Sequence, residues 1–340
     1  MRWVWDEETL PEQVDAEAKF AQPPVTLFRG RGFYIAALFW VDAQTAIHQH
    51  SFAGAFQLVD GASLALRFGF DEHRYINAHL RLGEVLVEDV EVLEPGDTRP
   101  IRPGRESIHA VFHMDGPSLT LLVRQYTDPT AHPQLCYLPP SIAFDPSPPA
   151  DHTGLRRLQL LSMLARTGDP LLEEMAGRAV GEDGALAVLG IVTRLVELPG
   201  ATTLAQRLVD DVRRIDEEFA VALHGAIAHL ERARRSLAAT ARVRGRDEHF
   251  LLGLLTFLPS RDEILRAVEK HHPGTDPREL AVRWACSIVR QTHGIEIARE
   301  EEQALESVLA MPPHSEGNGA EGTALTYFTR DSRLFEPLFR

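Results

Sequence analysis

Two short histidine-bearing segments hold the chemistry of this sequence. The first is Ile47-His48-Gln49-His50 and the second is Ile108-His109-Ala110-Val111-Phe112-His113. Along a strand, residues i and i+2 point to the same face. His48 and His50 would therefore project two imidazoles side by side, and His109 and His113 share a face by the same parity. A metal ion needs at least three such donors. Two strands meeting in a barrel would bring His48, His50 and His109 together, and neutral imidazole suits Fe, Zn, Cu and Ni. The plainer reading is a set of half-buried histidines hydrogen-bonded to backbone. For His113, hydrogen-bonding support of the ligands or contact with a substrate stands level with ligation.

Two arginines fall within expected strands. Arg67 or Arg124, pointing into a barrel, would clamp a substrate carboxylate through two parallel bonds. Tyr126 shares a face with Arg124 by parity, so the two enter a site together or face solvent together. Six further histidines read as structural. His73 and His79 sit in a hairpin-like stretch at the surface. His271 and His272 precede a Pro-Gly turn, as helix-end residues do. His224 and His229, five apart on a helix, do not meet on one face. Glu217 and Glu218 read as a solvated face, since the Glu-x-x-His pairs of a di-iron site are missing.

The elements that must position these groups change character near residue 140. Before it, β-branched and aromatic runs at 25–29, 33–41, 56–59, 63–70, 85–93, 108–113 and 119–126 alternate with turn signals such as Asp60-Gly61 and Glu94-Pro95-Gly96-Asp97. Short strands at this spacing suggest an antiparallel sandwich or barrel. A Pro-rich linker is expected over 139–152, because proline fixes φ and lacks a backbone donor. From Leu155 the period becomes helical, with Leu155, Leu158, Leu161 and Leu164 on one face. The run Leu204, Leu208, Val212, Ile215, Phe219, Leu223, Ile227 and Leu230 predicts one long amphipathic helix. Further helices are expected at 170–181, 184–198, 247–258, 260–271, 277–293 and 298–310, with Ser260 and Asp276-Pro277 as starts. The expected layout is α+β multidomain. An antiparallel β-barrel over 1–138 is followed by an all-α domain over 153–312 and a tail over 313–340 that docks on the chain.

Composition narrows the function classes. The 340 residues carry 35 Lys+Arg and 49 Asp+Glu, a formal charge of −14. Nucleic acid and membrane surface are therefore disfavoured as partners. The basic stretch over 232–246 is interspersed with Ala and Leu and reads as a solvated helix face. Two cysteines, Cys136 and Cys286, form neither a CxxC pair nor a disulfide framework. The N-terminus has no apolar signal region and no run is long enough to span a membrane, so a cytoplasmic location is expected. The helical part shows no P-loop, GxGxxG or nucleophile elbow.

The histidine segments also carry a family resemblance. The sequence resembles the cupin superfamily, whose first motif is H-x-H, then an acidic or amide residue, then Gly. Here His48-Gln49-His50 is followed by Gln57 and Gly61. The second motif runs Gly, P-G, His, and often Asn four residues on. Here it is Gly96-Asp97, Pro103-Gly104 and His109, with His113 at the Asn position. The resemblance covers about 25–130 and is silent on the helices. Gln57 stands where Glu is usual, so the implied ligand set is His48, His50 and His109 without a carboxylate, with Gln57 and His113 as candidates for an additional ligand or a supporting group. Such a set keeps the full charge of a divalent metal and favours an anionic co-ligand. It is similar to the thiol dioxygenase branch, typified by cysteine dioxygenase. Phe39-Trp40 leading into the first motif, and Ser118-Leu119-Thr120-Leu121 leading to Arg124-Gln125-Tyr126, are similar to that branch, with Tyr126 matching its active-site tyrosine. The cysteine that cross-links that tyrosine in some members has no counterpart near the first motif.

The resemblance implies a metal-dependent enzyme, foremost a mononuclear non-haem Fe(II) oxygenase or dioxygenase acting on a small anionic molecule. Zn, Ni, Mn and Cu are the alternative metals. A non-catalytic ligand- or metal-binding module with a helical interaction domain is the second reading, and a metal-dependent isomerase or lyase the third. A homodimer is an expectation from the resemblance alone.

Overall fold

A computed structural model describes residues 9–14, 21–41, 44–126, 134–146, 152–182, 184–310 and 333–340, with Val4, Asp6 and Phe328. Its architecture is α+β: an N-terminal antiparallel β-barrel region followed by a helical region. Eleven strands lie among the described residues: β1 (Pro24–Arg29), β2 (Phe33–Trp40), β3 (Ile47–His50), β4 (Gly54–Asp60), β5 (Ser63–Asn77), β6 (Leu80–Leu93), β7 (Thr98–Ile101), β8 (Gly104–His113), β9 (Ser118–Gln125), β10 (Cys136–Leu138) and β11 (Ile142–Phe144). One sheet has the order β1-β2-β9-β4-β7. The other closes on itself as β10-β11-β6-β5-β8-β3. No helix among the described residues is long and apolar enough to cross a membrane.

Nine α-helices follow among the described residues: α1 (His152–Thr167), α2 (Leu171–Glu182), α3 (Ala185–Glu197), α4 (Thr202–Arg213), α5 (Glu217–Thr240), α6 (Arg246–Phe257), α7 (Arg261–His271), α8 (Pro277–His293) and α9 (Arg299–Ala310). Ser260 and Asp276 cap α7 and α8 as their sequence positions predict, accepting from the Glu263 and Arg278 amides. Helix α6 seats against the outer face of the barrel. Leu64, Leu66 and Phe68 of β5 and Ile108, Ala110 and Phe112 of β8 share one buried core with Leu251, Leu254 and Leu255. The approach is close. A methyl group added at Gly253 would stand 2.9 Å from Leu64 Cδ2 and 3.1 Å from Phe112 Cγ.

Four sequence expectations change. First, the Pro-rich stretch over 139–152 opens inside the barrel: Pro139 and Pro140 lie in the turn between β10 and β11, and β11 pairs with β6. Residues 147–151 lie outside the described set. Second, β5 and β6 run well beyond 63–70 and 85–93. The charges that break the apolar pattern there are paired in three dimensions. Arg74 donates to Asp216 Oδ1 at 2.8 Å and to Glu218 Oε2 at 2.9 Å, and Glu72 accepts from Arg81 and Arg105. Third, the long helical run over 204–230 is two helices. Asp216 is extended at φ −148° and caps α5 by accepting from the Phe219 amide, which leaves Ile215 exposed. Fourth, 232–246 is not a uniformly solvated face. Arg232 and Glu231 are buried, and Glu231 pairs with Arg333 of the C-terminal segment.

That segment docks on its own chain. Leu334, Phe335 and Leu338 are buried in the core shared with α6–α9, and the Arg261 amide donates to Arg340 O. The apolar stretch Leu325-Thr326-Tyr327, also expected to dock, lies outside the described residues.

The close seat of α6 has a direct consequence. Gly253→Val should destabilise the protein by about 2 kcal/mol through overpacking, read as a lower denaturant midpoint. An unchanged midpoint would mean that α6 does not bear on Leu64 and Phe112.

Candidate metal centre

The centre is built by register. His48 lies opposite His109 in the β3–β8 ladder, and a bulge then places His50 opposite Gly104. Gly104 has φ +69°, in the left-handed region where glycine carries no Cβ penalty. Together with Pro103, which bridges His50, it bends β8 around the second imidazole. Ile47 and Gln49, of opposite parity, are buried on the far face, where Gln49 Oε1 accepts from the Tyr137 hydroxyl. The alternation thus separates the two imidazoles from the core within four residues.

One candidate ligand nitrogen from each of His48, His50 and His109 lies within 4.8 Å of the others. His50 Nε2 and His109 Nε2 are 2.9 Å apart. Metal–nitrogen bonds of about 2.1 Å at right angles put two donor atoms roughly 3.0 Å apart, so this pair fits adjacent ligand positions. His48 Nδ1 lies 2.8 Å from Ala46 O. A carbonyl can only accept, so the proton sits on Nδ1 and the Nε2 lone pair faces the cluster. Burial lowers all three basicities. His109 is pushed down to about 3, by burial first and by His48 second. His50 lies well below its ordinary value through burial, with the neighbouring His48, His109 and Arg124 adding to it. His48 is lowered by burial against the opposing bond to Ala46 O. Neutral imidazoles, with the Nε2 lone pair of His48 turned to the cluster, are what a divalent ion requires.

The cluster lines a cavity of about 700 Å³ between the two sheets. Its walls are largely apolar, with Leu38, Phe52, Phe56, Leu58, Ile101 and Leu122. Among the described lining residues none is acidic, and Arg124 is the one permanent charge. Arg124 is buried, with its guanidinium 3.6 Å from the centre of the Phe52 ring. At Gly54, opposite Arg124 in the β4–β9 ladder, an added methyl would meet Val123 O at 2.4 Å, so the arginine's seat depends on that glycine.

The other sequence candidates divide. His113 lines the same cavity, outside the three-histidine cluster. Its ring stacks on Trp40 at 4.8 Å, and Ser63 Oγ and Ser118 Oγ bond Nδ1 at 3.0 and 2.8 Å. Arg67 stands opposite His109 in the β5–β8 ladder, but its side chain is 62 % exposed and does not line the cavity. Gln57 cannot join the centre. Phe56 and Leu58 take the inward positions of β4, and Gln57 turns out to donate to Gly96 O and Thr98 Oγ1. Tyr126 also stays away. Strand β9 ends at Gln125, and the Tyr126 hydroxyl donates to Gly30 O at 2.9 Å beside Arg29. The parity that linked Tyr126 to Arg124 fails because the strand stops between them. The active-site tyrosine of the thiol dioxygenase resemblance is therefore not at this centre.

One lining residue was not legible in the sequence. Cys136 stands opposite His48 in the β10–β3 ladder, and burial pushes its thiol up to about 11. The two residues meet only because the barrel closes through β10, a strand too short to signal itself. His224 and His229 do not form a second centre among the described residues. His229 is buried and held near 3 by burial, with Arg232 adding to it.

No protein-family model matches this sequence, and no curated protein matches it. Several solved structures are similar to about a third of this chain. A cupin-2 domain protein from Shewanella frigidimarina is 11% identical over 31% of this chain and 82% of its own, with a TM-score of 0.23. Hydroquinone 1,2-dioxygenase from Sphingomonas, with 4-hydroxybenzoate bound, is 11% identical over 36% of this chain and 84% of its own, at 0.26. A cupin-superfamily sugar phosphate isomerase from Silicibacter pomeroyi is 15% identical over 34% and 64%, at 0.23. Likenesses of this extent assign no chemistry to this chain.

Buried neutral histidines make metal-free stability depend on pH. His109, His113 and His229 are each held near 3 by burial, against about 6.5 in an unfolded chain. Their contribution is complete above the unfolded value and is lost as pH falls toward the folded one, because only the unfolded chain takes up the protons. Between pH 6.5 and 5, where carboxylates stay ionised, unfolding free energy of metal-free protein should fall by up to about 1.4 kcal/mol per pH unit for each such group. A flat profile in denaturant titrations over that window would show that the imidazoles protonate within the fold.

Proposed function

We propose that this protein is a mononuclear metalloenzyme of cupin type, foremost an Fe(II)-dependent oxygenase acting on a small organic anion. The observation that carries the reading is the convergence of the His48, His50 and His109 imidazoles on a cavity whose described lining holds an arginine and no carboxylate. A divalent ion held by His48, His50 and His109 would keep its whole charge in a poorly solvated space, with the Arg124 cation beside it. Desolvated positive charge of that size needs an anionic partner. A substrate carrying a carboxylate, thiolate or enolate supplies it.

Iron bound there would supply redox chemistry with dioxygen. The residues of the chain supply the rest. His48 is locked in one tautomer by Ala46 O, so its orientation does not change when substrate arrives. Arg124, pinned over Phe52, offers planar donors to an anionic group. The apolar walls of Leu38, Phe56, Leu58 and Leu122 exclude water, which strengthens both interactions.

Metal analysis and oxygen uptake test the reading together. Wild-type protein should retain about one divalent metal per chain and, loaded anaerobically with Fe(II), consume oxygen only with an anionic substrate. His48→Ala should bind metal at least ~100-fold more weakly, because loss of a ligand exceeds the 10–100-fold cost of losing a group behind one. Equal metal content in both proteins would overturn the site. Product formed without oxygen would replace the oxygenase with a lyase or isomerase, and binding without turnover would leave a sensor.

A further inference from the structure

The cavity has two polar ends. His109 and His113 face it from the same side of β8, four residues and thus roughly 13 Å apart along the strand. At the first end stand the histidine cluster and Arg124. At the second stands His113, whose surroundings differ in kind. Its Nδ1 is bonded by Ser63 Oγ and Ser118 Oγ, and its ring is fixed by the stack on Trp40. Its Nε2 is buried, lies on a residue that lines the cavity, and has no hydrogen-bond partner among the described residues. An unpaired buried ring nitrogen is costly, and here the ring has been oriented by three neighbours that leave this atom spare. Gln44, which bridges the adjacent Phe112, likewise has a buried Oε1 without a partner and lines the same cavity. Between the two ends the wall is Val111, Leu38, Leu58 and Leu122.

We propose that His113 is a specificity-determining residue, whose Nε2 takes the uncharged hydrogen-bonding end of a small acid that lies with its anionic end at the histidine centre and Arg124 and its apolar body between. This substrate class rests on the metal-centre reading above. The chemistry separates the two ends. Cationic groups at one end favour the anion there. No acid stands among the described lining residues and burial keeps His113 neutral, so it discriminates by hydrogen bonding and not by charge. A hydroxyl, which both donates and accepts, satisfies Nε2 in either tautomer. A site that reserves a buried polar group for one substrate atom rejects analogues lacking that atom.

Calorimetric titration with two series of probes tests this. Straight-chain carboxylates of four to eight carbons, with and without a terminal hydroxyl, are bound to Co(II)-loaded wild type, His113→Phe and His113→Gln. Phenylalanine keeps the stack on Trp40 and removes the nitrogen, whereas glutamine keeps a donor and an acceptor. In wild type, one chain length should gain roughly tenfold in affinity from the hydroxyl. That gain should vanish in His113→Phe and return in part in His113→Gln, with metal content and the affinity of the plain acids unchanged. If the phenylalanine variant does not fold, His113→Leu carries the same expectation. A hydroxyl that helps at no length, a gain that survives in the phenylalanine or leucine variant, or no binding of any acid would overturn the proposal. Acids that bind metal-free and Co(II)-loaded protein equally would instead remove the metal-centre reading and leave the His113 contrast standing.

Discussion

Strand β8 has no solvated face from Ser107 to His113, and the rest of the molecule is arranged around that fact. Ile108, Ala110 and Phe112 point outward into the core shared with α6, whereas His109, Val111 and His113 point inward to the cavity. A one-residue slip would exchange the two sets, putting imidazoles into an apolar core and Phe112 into the site. The register is therefore fixed from both sides. Pairing with β3 aligns His109 on His48, and pairing with β5 aligns His113 on Ser63.

Burial on both faces also explains why the helices belong to the barrel and not beside it. A lone barrel would expose Leu64, Leu66, Phe68 and Phe112. Helix α6 covers them, and polar contacts pin the neighbouring edges. Lys270 of α7 donates to Asp89 and Val90 O, His249 of α6 contacts Met114 O, and Arg74 clamps the start of α5. These bonds tie the helices to β5, to β6 and to the residue after β8, the strands that contribute Ser63, Leu93, His109, Val111 and His113 to the cavity wall. The helical region contributes no residue to the histidine cluster among the described residues and packs against the strands that carry it.

The electrostatics of the cavity follow from what it lacks. Carboxylates are abundant over the whole chain, yet none lines the described wall of the cavity. The acids of β5 and β6 face other partners: Glu72 meets Arg81 and Arg105, Asp89 meets Lys270, and Glu91 meets Arg99. The net charge of −14 belongs to the whole chain, whereas the described wall of the cavity carries the Arg124 cation and no acid. A binding preference inferred from net charge alone would miss this contrast.

The sequence by itself determined the antiparallel strands, the helical second half, and the pairing of His48 with His50 on one face, because period 2 and period 3.6 are local properties of the chain. It also marked His109, through a Pro-Gly turn followed by a histidine of the right parity. Contacts closed over long separations were decided only by the tertiary structure. Parity places Tyr126 with Arg124, but where β9 stops depends on the β1–β2 hairpin that holds the hydroxyl. The spacing allows Gln57 as a ligand, but Phe56 and Leu58 compete for the same inward face of β4 and, being apolar, win it. The β5–β6 hairpin looks short because its charges break the apolar pattern, and those charges find partners only in three dimensions: Glu72 with Arg81 and Arg105 across strands, Arg74 with the start of α5. Cys136 and His113 gain their positions when β10 closes the barrel and the two sheets face each other. Sequence pattern sets which way a side chain points relative to its strand; which atoms it meets there depends on elements tens of residues away.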